Sequence, residues 1–283
     1  MSRLRDWLVG GPLITDGAWG TELQKRGLEP GACPDPWNLE HPERVEAVAE
    51  AYCEARSRVI LTNTFRANPV SLPDADLGAI NSAGVEISRR AARGRARVAA
   101  SMGPSGKLLA AGDITAEALA EAFTVQARSL AEAGPDALLL ETMSDPEEAR
   151  IALRAALETG LPVIVSFVFD AGRNHDRTMT GATPERVAQA MKAEGADAVG
   201  ANCGAGVDGF AAICGRLAAA SGLPVWIKPN AGMPAVQNGA IAYPGSPEQF
   251  AARVPEWIAA GASFIGGCCG SSPAFIKAMR ACV

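Results

Sequence analysis

Three cysteines at the ends of apolar runs carry the most chemistry in this chain. "GANCG" (200–204) holds Cys203, and "FIGGCCG" (264–270) sets Cys268 beside Cys269 among glycines. Three thiolates brought to one place suit zinc, which accepts sulfur ligands at ~2.3 Å in a tetrahedral set. Neighbouring residues on a regular strand face opposite ways, so Cys268 and Cys269 can share a task only where the backbone bends. Gly266, Gly267 and Gly270 offer that freedom. Neither His41 nor His175 ends an apolar run. With no obvious fourth protein ligand the site reads as open, as catalytic zinc sites are. The plain alternative for any one of these cysteines is a small buried hydrophobe. Cys53 and Cys214 lie in helical patterns, Cys33 in a Pro/Gly-rich loop and Cys282 at the terminus, and these suggest no ligation.

Other polar groups end apolar runs too. Asp16 closes the first, ahead of Gly17 and Ala18; Glu141 closes the fourth; Asn202 precedes Cys203; Lys228 interrupts "PVWIKPN". Asp16 also reads as a turn residue before glycine, and Glu141 as an acid at a helix N-terminus. Lys228 opens a different chemistry, since a lysine on a barrel strand can form a Schiff base. Trp19 and Phe65 stand close to these groups in sequence, as onium-facing aromatics or as packing at the mouth.

Something must hold these residues together. Short apolar runs occur at 12–17, 58–65, 97–103, 136–142, 162–169, 197–204, 224–232 and 263–270. Between them lie amphipathic stretches such as "PERVEAVAEAYCEA" and "PEEARIALRAALET", each opening on proline and acid. Apolar strands alternating with helices indicate a parallel sheet covered by helices. An open doubly wound sheet fits the alternation, but eight such units favour an α/β fold of the (β/α)8 TIM-barrel type, as a single domain over residues 1–283. In such a barrel the C-terminal strand ends form one rim, so Cys203, Cys268, Cys269, Asp16 and Glu141 converge there.

Gly134, Gly160, Gly195, Gly222 and Gly261 recur just ahead of strands, at the offset where a left-handed residue stops a helix. Arg56 stands at that offset before the second strand. If the turn is left-handed there too, Arg56→Gly should raise stability without touching chemistry.

The 283 residues carry a net charge of −5, which gives no reason to expect nucleic acid or an anionic membrane as partner. No apolar run approaches the ~20 residues of a membrane span, and the N-terminus lacks a secretory cleavage pattern. A cytoplasmic location is expected, where seven cysteines stay reduced.

"TDGAWGTELQ", "ILTNTF", "LLLET", "GANCG", "KPNAG" and "GGCCG" occur in the order found in the zinc-dependent homocysteine S-methyltransferase family, which the chain resembles from about residue 10 to 272. "TNTF" and "DPWNLEHPERV" look most like the homocysteine-binding domain of cobalamin-dependent methionine synthase. The resemblance implies Zn2+ on Cys203, Cys268 and Cys269, with Asp16 and Glu141 on the homocysteine amino group. It implies backbone amides of Gly17 and Ala18 on the carboxylate, and Asn202 orienting a ligand. The expected reaction is methyl transfer to the homocysteine thiol to give methionine. The donor is a small molecule, such as a betaine or S-methylmethionine, or a separate corrinoid protein. A Schiff-base lyase on Lys228 and a non-catalytic zinc- or thiol-binding subunit are the alternatives. The oligomeric state is not legible.

Overall fold

A computed structural model describes residues 2–204, 206–237 and 240–283. Strands and helices alternate along the chain. They run β1 (Leu13–Ile14), α1 (Gly20–Gln24), α2 (Trp37–Glu40), α3 (Pro42–Glu54), β2 (Val59–Leu61), α4 (Leu77–Ala92), β3 (Arg97–Met102), α5 (Ala116–Glu132) and β4 (Ala137–Met143). Then follow α6 (Pro146–Leu157), β5 (Val163–Phe167), α7 (Pro184–Glu194), β6 (Ala198–Cys203), α8 (Phe210–Ser221) and β7 (Val225–Pro229). The chain closes with a hairpin, β8 (Ala235–Gln237) and β9 (Ala240–Ala242), then α9 (Pro247–Ala259), β10 (Ala262–Ile265) and α10 (Pro273–Arg280).

Eight strands form one parallel sheet in the order β1-β10-β7-β6-β5-β4-β3-β2. A parallel bridge from Thr15 to Val59 joins the two edges, and the Arg58 N–H donates to the Ile14 carbonyl at 2.7 Å. The sheet is thereby nearly closed, a (β/α)8 barrel, as the eight apolar runs predict. The β8–β9 hairpin is an insertion after β7 that the apolar pattern does not announce.

Residue size decides how the barrel fills. Trp226 and Phe264, with ring centroids 5.4 Å apart, occupy the interior opposite the small Ala99, Ala137 and Ala198. Leu4 and Trp7 close the bottom. The N-terminal segment is held there by the Arg3–Asp197 ion pair, 2.6 Å. Outside the barrel, the strands' other faces meet the apolar stripes of the helices in one continuous core. Five helix entries are capped by side chains: Asp76, Thr115, Asp145, Thr183 and Ser246 each accept a backbone N–H of the first turn.

Helix exits follow the glycine rule. Gly134, Gly160, Gly195, Gly222 and Gly261 all have positive φ, between 66° and 102°, and Arg56 joins them at 68°. The Arg56 N–H donates to the Cys53 carbonyl and the Ser57 N–H to the Tyr52 carbonyl, at 3.0 and 3.1 Å. That is a Schellman end with arginine where glycine is favoured. No helix among the described residues is long and apolar enough to cross a membrane.

Candidate metal centre and active site

β6 ends on Cys203 and β10 ends at Ile265. Cys268 and Cys269 therefore sit in the turn beyond the strand, where strand alternation no longer governs them. The turn is tied down by backbone hydrogen bonds from Cys268 N–H to Pro229 O (2.8 Å) and from Ala231 N–H to Cys269 O (2.9 Å). The expectation that three glycines bend a strand is corrected by their separate tasks. Only Gly270 is left-handed, at φ 82°. Gly266 and Gly267 serve close approach: a Cβ on Gly266 would lie 2.1 Å from Thr15 Oγ1, and one on Gly267 2.2 Å from Ser271 Oγ. Cys203 itself is left-handed, at φ 62°. A non-glycine residue in that region costs energy and is held by its surroundings, as is common at functional sites.

The three sulfurs all lie within 4.8 Å of one another, and Cys203 Sγ and Cys268 Sγ are 3.2 Å apart. Tetrahedral thiolate ligands at ~2.3 Å from zinc stand roughly 3.8 Å apart, so the donor set fits that ion in type and spacing. Hydrogen bonds from Cys203 and Cys268 pull the Cys269 thiol down to about 3, and the same sharing holds Cys203 up. A trio that gives up one proton readily and resists losing the next is suited to a cation that stabilises all three thiolates.

Buried Asn202 stands behind the sulfurs. Its Oδ1 accepts from Thr142 N–H (2.9 Å) and Ser166 Oγ (2.6 Å). Those bonds aim Nδ2 at Thr142 Oγ1 (2.7 Å) and at the sulfurs of Cys203 (3.5 Å) and Cys268 (3.9 Å). Thr142, also left-handed at φ 62°, is fixed by the same amide.

A cavity of about 320 Å3 opens above the thiols, with Trp19, Phe65 and Pro34 among its apolar walls. Glu141 lines it, buried, and accepts a hydrogen bond from Ser101 Oγ. Burial pushes its carboxyl up to about 7, against the pull of the Lys228 ammonium. Lys228 also lines the cavity. Burial would lower its ammonium, but Asp16 and then Glu141 outweigh that and hold it above the usual lysine range.

Two of the expected substrate contacts make hydrogen bonds within the protein. Asp16 is wholly buried and its carboxylate is already engaged. Oδ1 pairs with Lys228 Nζ, and Oδ2 accepts from the Trp19 indole and the Leu61 N–H, both at 2.7 Å. Its partners Lys228 and Trp19 line the cavity. The Ala18 N–H donates to the Ser271 carbonyl at 3.0 Å. The Gly17 amide makes no backbone hydrogen bond among the described residues, and Gly17 lines the cavity.

Two further neighbours carry no signal in the sequence. Ser101, on β3, holds Glu141, and nothing in its local pattern sets it apart from a core serine. Tyr243 packs its ring over Gly270, where a Cβ would lie 2.2 Å from the ring. Burial, followed by the neighbouring Cys269 charge, raises the Tyr243 phenol to about 12.

The comparisons agree with this geometry. The model of the family described as homocysteine S-methyltransferase matches residues 13–283. The methionine synthases of Mycobacterium tuberculosis (strain ATCC 25618 / H37Rv) and Mycobacterium leprae (strain TN) are 31% and 30% identical, over 99% and 96% of this chain. The chain spans only about a quarter of their length, 25% and 24%. The crystal structure of the homocysteine methyltransferase MmuM from Escherichia coli in its metallated form superposes with a TM-score of 0.83 at 26% identity, covering 98% of this chain and 99% of that one. The same enzyme's apo form gives 0.77. Barrel, thiol cluster and a match over nearly the full length lead to one conclusion: the chain belongs to the homocysteine S-methyltransferase family.

Proposed function

We propose that residues 1–283 form a homocysteine-binding barrel that transfers a methyl group to the homocysteine sulfur, with zinc held by Cys203, Cys268 and Cys269. The observation that carries this reading is the three-thiol cluster at the floor of a largely apolar cavity that also contains one ionisable acid, Glu141.

Zinc in this site supplies charge that keeps a fourth sulfur donor deprotonated at neutral pH, where a free thiol near pKa ~8.5 is mostly protonated. The chain's own groups do the rest. Asn202 fixes the directions of two sulfurs through its amide, as groups behind metal ligands commonly do. Glu141, ionised, receives the substrate ammonium, and the free Gly17 amide receives its carboxylate. Trp19, Phe65 and Pro34 keep water from the approach to the sulfur. Methyl transfer is then a displacement in which the substrate sulfur attacks the methyl carbon and the donor leaves with the bonding pair.

The donor is a small onium compound such as a betaine or S-methylmethionine, or a methylated corrinoid protein that covers the rim. A reducing cytoplasmic setting suits seven free cysteines. The Schiff-base reading is disfavoured, because an ammonium paired with Asp16 has no lone pair to attack a carbonyl. A methyl-transfer assay with homocysteine across a donor panel, with metal content measured, tests the proposal. Methionine should form with at least one donor, and Cys203→Ala should abolish it. Zinc and homocysteine binding without turnover on any donor would favour a non-catalytic subunit.

A further inference from the structure

Five arginines lie in the stretch "SRRAARGRAR" (88–97). Two are answered by acids of α3: Arg90 meets Glu46 at 2.7 Å and Arg93 meets Glu50 at 2.9 Å. The other three, Arg89, Arg95 and Arg97, line one cavity of about 510 Å3 together with Arg58. Arg58 precedes β2 and Arg97 opens β3, so this cavity lies at the N-terminal strand ends, opposite the thiol cluster. The Arg97 N–H donates to the Arg58 carbonyl at 3.0 Å, and a left-handed turn at Arg93 (φ 48°) and Gly94 (φ 73°) leads into Arg95. The four guanidiniums are poorly matched by the protein. Arg97 lies over the Trp7 ring, 4.7 Å from its centroid, and reaches Asp136 only at 3.8 Å. The other oxygen of Asp136 accepts from the Val98 N–H at 2.7 Å. Arg89 and Arg95 donate only to the carbonyls of Gly134 and Ala91. The Arg58 side chain makes no hydrogen bond or ion pair among the described residues, and Asp6 is the cavity's one other acid. The N–H groups of Gly94 and Ala96, also in the lining, donate to no protein group among those residues.

We infer that this cavity binds a compact anion carrying more than one phosphate group, and that the bound anion braces the seam of the barrel. Guanidinium forks match phosphate oxygens in pairs, and converging cations raise the local potential above that of isolated surface charges. The volume lies in the small-molecule range. Arg56 and Arg280 line an adjoining hollow with Arg58 and Arg95, against one acid, Glu54, and extend the positive field. An acidic peptide would spread its carboxylates along a track, at ~3.3–3.6 Å per residue. Here the forks share one concavity. β1 and β2 are the edges of the sheet, joined by the Thr15–Val59 bridge and the Arg58–Ile14 hydrogen bond. The cavity lining comes from Trp7 and Leu13 ahead of that joint and from Arg58 and Arg97 beyond it. An anion held there ties the first strand to the second and third, so binding and barrel stability are linked. The site stands apart from the methyl-transfer reading and does not depend on it.

Calorimetry and thermal melts of the zinc-loaded protein with sodium pyrophosphate, against sodium chloride at equal ionic strength, test the site. One pyrophosphate should bind per chain and, at a hundredfold excess over Kd, raise Tm by on the order of 5 °C. Inorganic phosphate should bind more weakly. ADP, with the same two phosphates, tells the sources apart: tighter binding than pyrophosphate selects a nucleotide, equal or weaker binding a free diphosphate. Arg58→Gln combined with Arg95→Gln should weaken pyrophosphate at least about tenfold with zinc content unchanged. Both side chains are exposed, so the double variant should fold as wild type does. Arg186→Gln, at an exposed arginine of α7, should bind as wild type does. No response beyond that of chloride would overturn the assignment. Binding that the double variant retains in full, as chelation of the zinc would be, would overturn it as well. Tighter binding of hexaglutamate than of pyrophosphate would also overturn it, giving the face to an acidic protein segment.

Discussion

Arg56→Gly should stabilise the protein. Arg56 occupies the left-handed C-terminal position of α3 at φ 68°, where five equivalent turns use glycine. Its side chain is exposed and makes no hydrogen bond or ion pair among the described residues. The backbone bonds of the turn, Arg56 N–H to Cys53 O and Ser57 N–H to Tyr52 O, do not depend on residue type. A non-glycine residue there costs ~1–2 kcal/mol, and glycine's greater freedom in the unfolded chain returns roughly 0.5–1 kcal/mol of that gain. The net expectation is about 1 kcal/mol, or about 2–3 °C in Tm for a domain of this size. Urea titration should show a higher midpoint with an unchanged slope. Arg56→Ala, which removes the side chain but keeps the Cβ, should gain little, separating backbone strain from charge effects. A midpoint for Arg56→Gly equal to or below wild type would refute the strain reasoning.

Asn202→Asp keeps the shape of the amide but replaces the N–H aimed at Cys203 and Cys268 with an oxygen, and zinc affinity measured by chelator competition should fall about 10- to 100-fold. Gly266→Ala places a methyl 2.1 Å from Thr15 Oγ1 and 2.5 Å from the Asp16 carbonyl, and should lower stability by about 1–3 kcal/mol in chemical denaturation. Asp35 gives a pH signature: burial raises its carboxyl to about 6, despite the Arg66 N–H it accepts at 2.7 Å. The raised value means the folded state keeps a proton that the unfolded chain releases near pH ~4, so stability falls as pH rises from there through 6. The stability difference between wild type and Asp35→Asn should change by up to about 3 kcal/mol across that window. A difference independent of pH would show that the fold does not raise the Asp35 carboxyl.

Much of the architecture is legible because strand burial on both faces leaves continuous apolar runs, and all eight barrel strands match them, with β4 and β10 overrunning by one residue each. The β8–β9 hairpin is too short and too weakly patterned to stand out. In the site, residue type marks Cys203, Cys268 and Glu141, but side-chain reach and backbone bonding decide how each is used. Asp16 and Ala18 show the difference, one engaged by Lys228 and the other by Ser271. The signal for Lys228 lies in the sequence: a lysine within "PVWIKP" must be paired if the strand is buried. Its partner is 212 residues away and only the barrel brings them together.

The central claim is that Cys203, Cys268 and Cys269 present one zinc ion to the homocysteine sulfur. X-ray absorption at the zinc edge, on protein with and without homocysteine, tests it most directly. One zinc per chain with three sulfur ligands at ~2.3 Å is expected, rising to four when homocysteine is added. No retained zinc, or a sulfur count that homocysteine leaves unchanged, would contradict it.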